Sequence, residues 1–160
     1  MTVPHLTPTT FAQVLANAQA LLAEYGGKVA YRMGADLDGS PVGCDCSAFV
    51  ARACGQRKNA AGVWYNTDRI HDDAHSGPHK RWRQIDAPTP GCIGVYPGKT
   101  RNGNRVAGHV WVVEDVAACR TIECSSSGKG IARRTRVAWF AEGALGNGRP
   151  IIWAEFVGAL

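Results

Sequence analysis

A chain of 160 residues has room for one ordinary domain, and 45% apolar against 19% charged residues allow a buried core, which excludes wholesale disorder. Eighteen Lys and Arg against 13 Asp and Glu give a formal charge of +5, favouring an anionic partner such as nucleic acid, an acidic cell-wall polymer or a lipid surface. No run approaches the roughly 18 consecutive apolar residues of a membrane-spanning helix, so no membrane insertion is expected. The opening Met-Thr-Val-Pro-His lacks the basic start and apolar run of a signal peptide, so synthesis in the cytoplasm is the expectation. Six cysteines (Cys44, Cys46, Cys54, Cys92, Cys119 and Cys124) are too few for a disulfide scaffold at this length and read as thiols.

Thr7 and Pro8, followed by Phe11, Val14, Leu15, Ala18, Leu21 and Leu22, read as the cap, first residue and apolar stripe of a helix that Gly26-Gly27 ends. Gly34 to Gly43 is a loop by composition. Ser47 to Cys54 reads as a short helix with Phe49, Val50 and Ala53 inward, ended by Gly55. Residues 56–90 carry no clear element. From Cys92 the grain turns to strands: Cys92–Pro97, His109–Val113, Thr121–Cys124, with Arg133–Phe140 and Ile151–Val157 able to close a sheet. Lys99 to Arg105 reads as a basic loop. Helices first and antiparallel strands second give an α+β class with a single domain over 1–160.

The most informative segment is Gly43-Cys44-Asp45-Cys46-Ser47-Ala48-Phe49-Val50. A glycine-containing loop delivers Cys46 to the first turn of a helix, where unpaired N–H groups and the dipole favour a thiolate. The same N–H groups can hold the oxyanion of a tetrahedral intermediate. A nucleophile needs a base, and His109 opens an apolar strand in Gly108-His109-Val-Trp-Val-Val. If the next strand pairs with it, Glu123 accepts from the far imidazole nitrogen and completes a triad.

Tyr31-Arg-Met-Gly, Asp45-Cys46-Ser47-Ala48-Phe49-Val50, Gly91-Cys-Ile-Gly-Val-Tyr96, Gly108-His109-Val-Trp-Val-Val and Ile122-Glu123-Cys-Ser-Ser stand in one order along the chain. This series resembles the NlpC-type cysteine peptidases, papain-like bacterial and phage enzymes that cut peptidoglycan, with the CHAP amidases as near relatives. The resemblance implies a papain-like fold with helices packed on a central antiparallel sheet. It implies Cys46 as nucleophile, His109 as base and Tyr31 as a cleft tyrosine near the nucleophile; Glu123 is the candidate third residue, and Asp45, Ser47 and Trp111 are further candidates for substrate binding. A phage lysis or tail-associated enzyme that acts on the wall as a monomer is the implied setting. The chain departs from the family pattern at Ala48, where glycine is usual, at Cys92, where aspartate commonly follows the glycine, and at Glu123, where histidine is usual.

Weaker signals are read against ordinary structural roles. His71, His75 and His79 have helical spacing, but Gly77-Pro78 interrupts it; Asp36-Leu-Asp38-Gly-Ser40 resembles a calcium loop without its closing glutamate. No metal or cofactor is therefore expected. Trp64-Tyr65 and His79-Lys-Arg-Trp-Arg83 mix aromatic and basic residues as single-stranded nucleic-acid surfaces do, but a solvated basic face is the simpler reading, and no nucleic-acid partner is expected. Cys54, Cys92 and Cys119 read as small buried residues, and Cys44 as without chemical role. Two alternatives to a hydrolase use the same scaffold: an inactive wall-binding module, and a transferase in which an amine resolves the thioester.

Overall fold

The computed structural model describes residues 10–40, 42–57, 66–79, 81–127 and 129–158. Its first helix, α1 (Phe11–Tyr25), starts three residues later than the sequence pattern indicates. Thr10, in extended conformation, is the cap, its hydroxyl accepting from Gln13 N at 3.2 Å; Thr7 and Pro8 lie outside the described residues. Gly26 ends the helix as expected, its N–H bonded to Leu22 O. Helix α2 (Cys46–Ala53) is buried on nearly every side, so it is a core helix rather than an amphipathic one. Asn17 of α1 donates to Ala53 O at 2.9 Å and satisfies one of the open carbonyls at the end of α2. Between Thr67 and His75 the structure forms α3, capped by Asn66, in a segment whose polar sequence announces no element.

Strands β1 (Trp82–Ile85), β2 (Ile93–Tyr96), β3 (Lys99–Arg101), β4 (Asn104–Val106), β5 (His109–Asp115), β6 (Arg120–Ser125), β7 (Gly130–Thr135), β8 (Leu145–Gly146), β9 (Arg149–Pro150) and β10 (Ile152–Phe156) follow. Six form one antiparallel sheet in the order β1-β10-β2-β5-β6-β7, and β3-β4 and β8-β9 are separate hairpins. The Lys99–Arg105 segment is thus mostly a two-stranded hairpin turning at Asn102-Gly103, not a loop; both turn residues have positive φ, as such turns demand. Strand β7, at one edge of the sheet, stops at Thr135, and Arg133–Phe140 is not strand throughout, because the chain passes into a 3₁₀ turn at Val137–Trp139. The architecture is α+β.

The sheet separates two apolar clusters. On one face Val110, Val112, Ile122 and Ile131 pack under α1 and α2 with Phe49, Val50 and Val14. On the other, Cys92, Tyr96, Trp111 and Val113 gather Trp139, Phe140 and Trp153. Gly94 lies directly across from Trp111, and a Cβ there would fall 2.6 Å from Trp111 Nε1, so only glycine lets the indole lie flat on β2. Trp82 faces the core, edge-on to Phe156 at 5.0 Å, so it offers nothing to a nucleic-acid surface; Trp64, Tyr65 and Lys80 lie outside the described residues. Among the described residues no helix is long and apolar enough to cross a membrane.

Candidate active site

Cys46 is the first residue of α2. The segment before it is fixed by strand-like pairing: Tyr31 bridges Cys44, Arg32 N donates to Cys44 O at 2.9 Å, and Cys44 N to Ala30 O at 3.4 Å. Asp45 then caps the helix. Its Oδ1 accepts from Ala48 N at 2.8 Å and from Ser47 Oγ at 3.1 Å, while Oδ2 accepts from Gly34 N at 2.9 Å. One buried carboxylate therefore ties the helix start to the Tyr31–Gly34 segment and aims the cysteine. By helix geometry, the N–H groups of the first turn converge at the cysteine end.

His109 begins β5 and Glu123 lies on β6, its antiparallel neighbour. Continuing the register of Val112 opposite Ile122 puts Glu123 across from Trp111 and one diagonal from His109. His109 Nε2 meets Glu123 Oε1 at 3.3 Å, and Cys46 lies near enough to the ring to raise its proton affinity. Since Nε2 faces the carboxylate, Nδ1 is the nitrogen left for the sulfur. Burial disfavours the imidazolium, but the hydrogen bonds and charges of Cys46 and Glu123 outweigh it and push His109 up to about 9.

Glu123 is fully buried and has four donors. Oε1 receives His109 Nε2 and Arg136 Nη2; Oε2 receives Thr121 Oγ1 at 2.7 Å and Arg136 Nε at 3.2 Å. Burial raises a carboxyl's proton affinity, yet the bonds from His109, Arg136 and Thr121 hold this one down at about 2. Thr121 could have been read from sequence, because residues two apart on a strand share a face. Arg136 could not: it reaches Glu123 only after β7 has paired with β6 and the chain has turned.

Two cavities flank this cluster. One, of about 600 Å³, is lined by Asp45, Cys46, Ser47, Asn66, Asp68 and Arg105; the other, of about 440 Å³, by Tyr96, His109, Ser125, Arg136 and Trp139. Tyr31, Met33, Ala107 and Gly108 line both, so the two form one groove with sulfur and imidazole at its middle. Tyr31 thus lies beside the cysteine, and burial, with the nearby Cys46 and Asp45, raises its phenol well above the ordinary range. Asp45 and Ser47 reach the groove wall, although the polar contacts described above knit the helix start together. Trp111 lies behind the groove instead of on it: it is fully buried, stacked against His109 (ring centroids 5.8 Å) and Trp139 (4.2 Å), and lines neither cavity. Trp139 joins Tyr31 and Tyr96 in the aromatic wall of the groove, and it was missed in the sequence because nothing local ties it to His109.

The remaining candidates fall elsewhere. Cys54 and Cys92 are fully buried, and burial raises both thiols, Cys92 to about 12. Cys119 is half-buried at the turn before β6, with φ 52°, and is not a core residue. Cys44 is packed against Cys124, whose thiol donates to Cys44 O at 3.3 Å. Asp36 and Asp38 pair with Arg52 instead of converging on a shared centre. His71 and His75 stack on α3 at 5.4 Å, and His79 lies beyond its end. Among the described residues no cluster of three or more His, Cys, Asp or Glu could hold a metal ion.

The family model of the CHAP domain matches residues 35–128. CHAP domains are papain-like, related to the NlpC type, and typically cysteine- and histidine-dependent amidohydrolases or peptidases. No curated protein matches the chain. The matched segment contains Cys46, His109 and Glu123 and ends before Arg136 and Trp139.

Proposed function

From the premise that the chain belongs to the CHAP domain family, we propose that it is a peptidoglycan hydrolase in which Cys46, His109 and Glu123 cleave an amide bond. His109 Nδ1 takes the thiol proton, and the resulting thiolate, paired with the imidazolium, attacks the carbonyl of a wall peptide bond, or of the amide joining peptide to sugar. The N–H groups opening α2 stabilise the oxyanion. The imidazolium then protonates the leaving amine, the C–N bond breaks, and a thioester remains. Water, deprotonated by the imidazole, hydrolyses that thioester and frees the sulfur. Glu123 keeps the ring turned with Nδ1 toward the sulfur throughout.

The single observation behind this reading is the meeting of Cys46, His109 and Glu123 at the middle of an open groove. A net charge of +5 suits the acidic polymers of the wall. Within the same proposal the protein is single-domained, acts as a monomer and belongs to a phage lysis or tail-associated apparatus. Wild type and Cys46→Ala added to isolated sacculi are expected to differ completely, turbidity falling only with wild type. Mass spectrometry of the digest then assigns the bond: new peptide amino termini mark an endopeptidase, peptides freed from sugar an amidase. Equal clearing by both proteins would end the proposal.

A further inference from the structure

We propose that Arg136 is a positioning residue of this site, gripping both oxygens of Glu123 so that the carboxylate presents one fixed lone pair to His109 and divides its negative charge between two cations. The inference rests on the hydrolase reading and adds a residue beyond the segment matched by the family. The fork is two-pronged: Nε donates to Oε2 at 3.2 Å and Nη2 to Oε1, the same oxygen that faces His109. The guanidinium is itself located. Its carbon lies 4.4 Å over the Trp139 ring, Trp139 stacks on Trp111, Trp111 stacks on His109, and Arg136 N donates to Cys119 O at 2.8 Å. Imidazole, indoles and guanidinium thus close a ring around one carboxylate, at the groove wall formed by Trp139 and Arg136.

The chemistry of that arrangement is a charge balance. A buried carboxylate facing an imidazolium alone would hold the proton so tightly that transfer to the leaving amine is slowed. A second cation on the same oxygen weakens that hold while keeping the carboxylate ionised and aligned. Among the described residues, Cys46 on α2, Tyr96 on β2 and Tyr31 across the groove are the other titratable groups near His109 and none is a permanent cation; Arg149 acts on Tyr96 but donates to Gly98 O and not to Glu123. Arg136 is therefore the group able to offset Glu123.

Three variants separate charge from fork, using the full chain and purified peptidoglycan. Arg136→Gln removes both: kcat falls about tenfold with KM little changed, and the basic limb of the pH profile rises by about one unit. Arg136→Lys keeps the charge and loses the fork: kcat falls while the limb stays. Arg136→Ala recovers rate, and the wild-type limb, when millimolar guanidinium is added. Wild-type kcat and limb in Arg136→Gln overturn the proposal, as does a loss of rate with an unmoved limb and no rescue. Following the His109 ring by NMR titration gives the same shift without turnover. If Cys46→Ala clears sacculi like wild type, the hydrolase reading falls; the NMR shift still decides whether Arg136 balances the pair.

Discussion

Replacing Glu123 by glutamine alters shape least and electrostatics most. Four donors point at the two carboxylate oxygens: His109 Nε2, Thr121 Oγ1, and Nε and Nη2 of Arg136. A glutamine offers one carbonyl oxygen and two N–H groups. The oxygen can keep His109 and Arg136 Nη2, and Thr121 can reverse to accept from the amide, but Arg136 Nε then faces an N–H. Arg136 is 22% exposed, so solvent recovers part of the loss, and the cost is about 2–3 kcal/mol. For a chain of this length that is a fall in melting temperature of about 5–10 °C.

The charge lost with Glu123 also leaves burial, Cys46 and the now unbalanced Arg136 to set His109, so the basic limb drops below about 9. The linkage has a definite sign. A histidine whose folded value is raised adds stability that is complete below 6.5 and disappears as the pH climbs through about 9. A carboxylate lowered to about 2 adds stability that is complete above 4.5 and disappears as the pH falls through about 2. The wild-type melting temperature therefore declines between pH 6.5 and 9, and that of Glu123→Gln declines less there. Thermal melts from pH 3 to 10, beside hydrolysis rates from pH 5 to 10, test both parts. A variant that melts within about 1 °C of wild type and keeps its basic limb near 9 refutes the reasoning.

Asp45→Ala removes the cap of α2 and the tie to Gly34 from a buried place; a loss of about 2–3 kcal/mol by urea unfolding is expected, with Asp45→Asn recovering part, and an unchanged midpoint contradicts it. Gly94→Ala drives a methyl against Trp111, costing about 3 kcal/mol or yielding insoluble protein, whereas folding at wild-type stability would mean the indole can move aside. Iodoacetamide on the native protein labels Cys46 and the half-buried Cys119 and spares Cys54, Cys92 and Cys124, as peptide mapping by mass spectrometry will show; labelling of Cys54 at the rate of Cys46 would contradict the burial described.

Local signals carried far into this protein. The glycine-containing loop before Cys46 and the apolar run after it announced a helix start bearing a cysteine, because loop composition and helix periodicity are short-range physics, and the structure added Asp45 as the cap. Alternation around His109 and Glu123 announced two strands, and their pairing supplied the contact between the two side chains. Where local preference is weak the sequence was silent: α3 and β1 arise in a polar stretch because α3 packs Ile70 and Ala74 against the sheet. Trp111 looked like a groove residue on its strand, but the glycine opposite it admits the indole into the interior.

The amino-acid order alone determined the α+β class, the cysteine at a helix start and the histidine at a strand start, since each depends on neighbours a few residues away. Tertiary structure decided which side chains complete the site. Arg136 and Trp139 reach Glu123 and His109 only through strand pairing and a 3₁₀ turn. Contacts of that kind are set by how the whole chain fills space and satisfies a buried charge, and no local pattern encodes them.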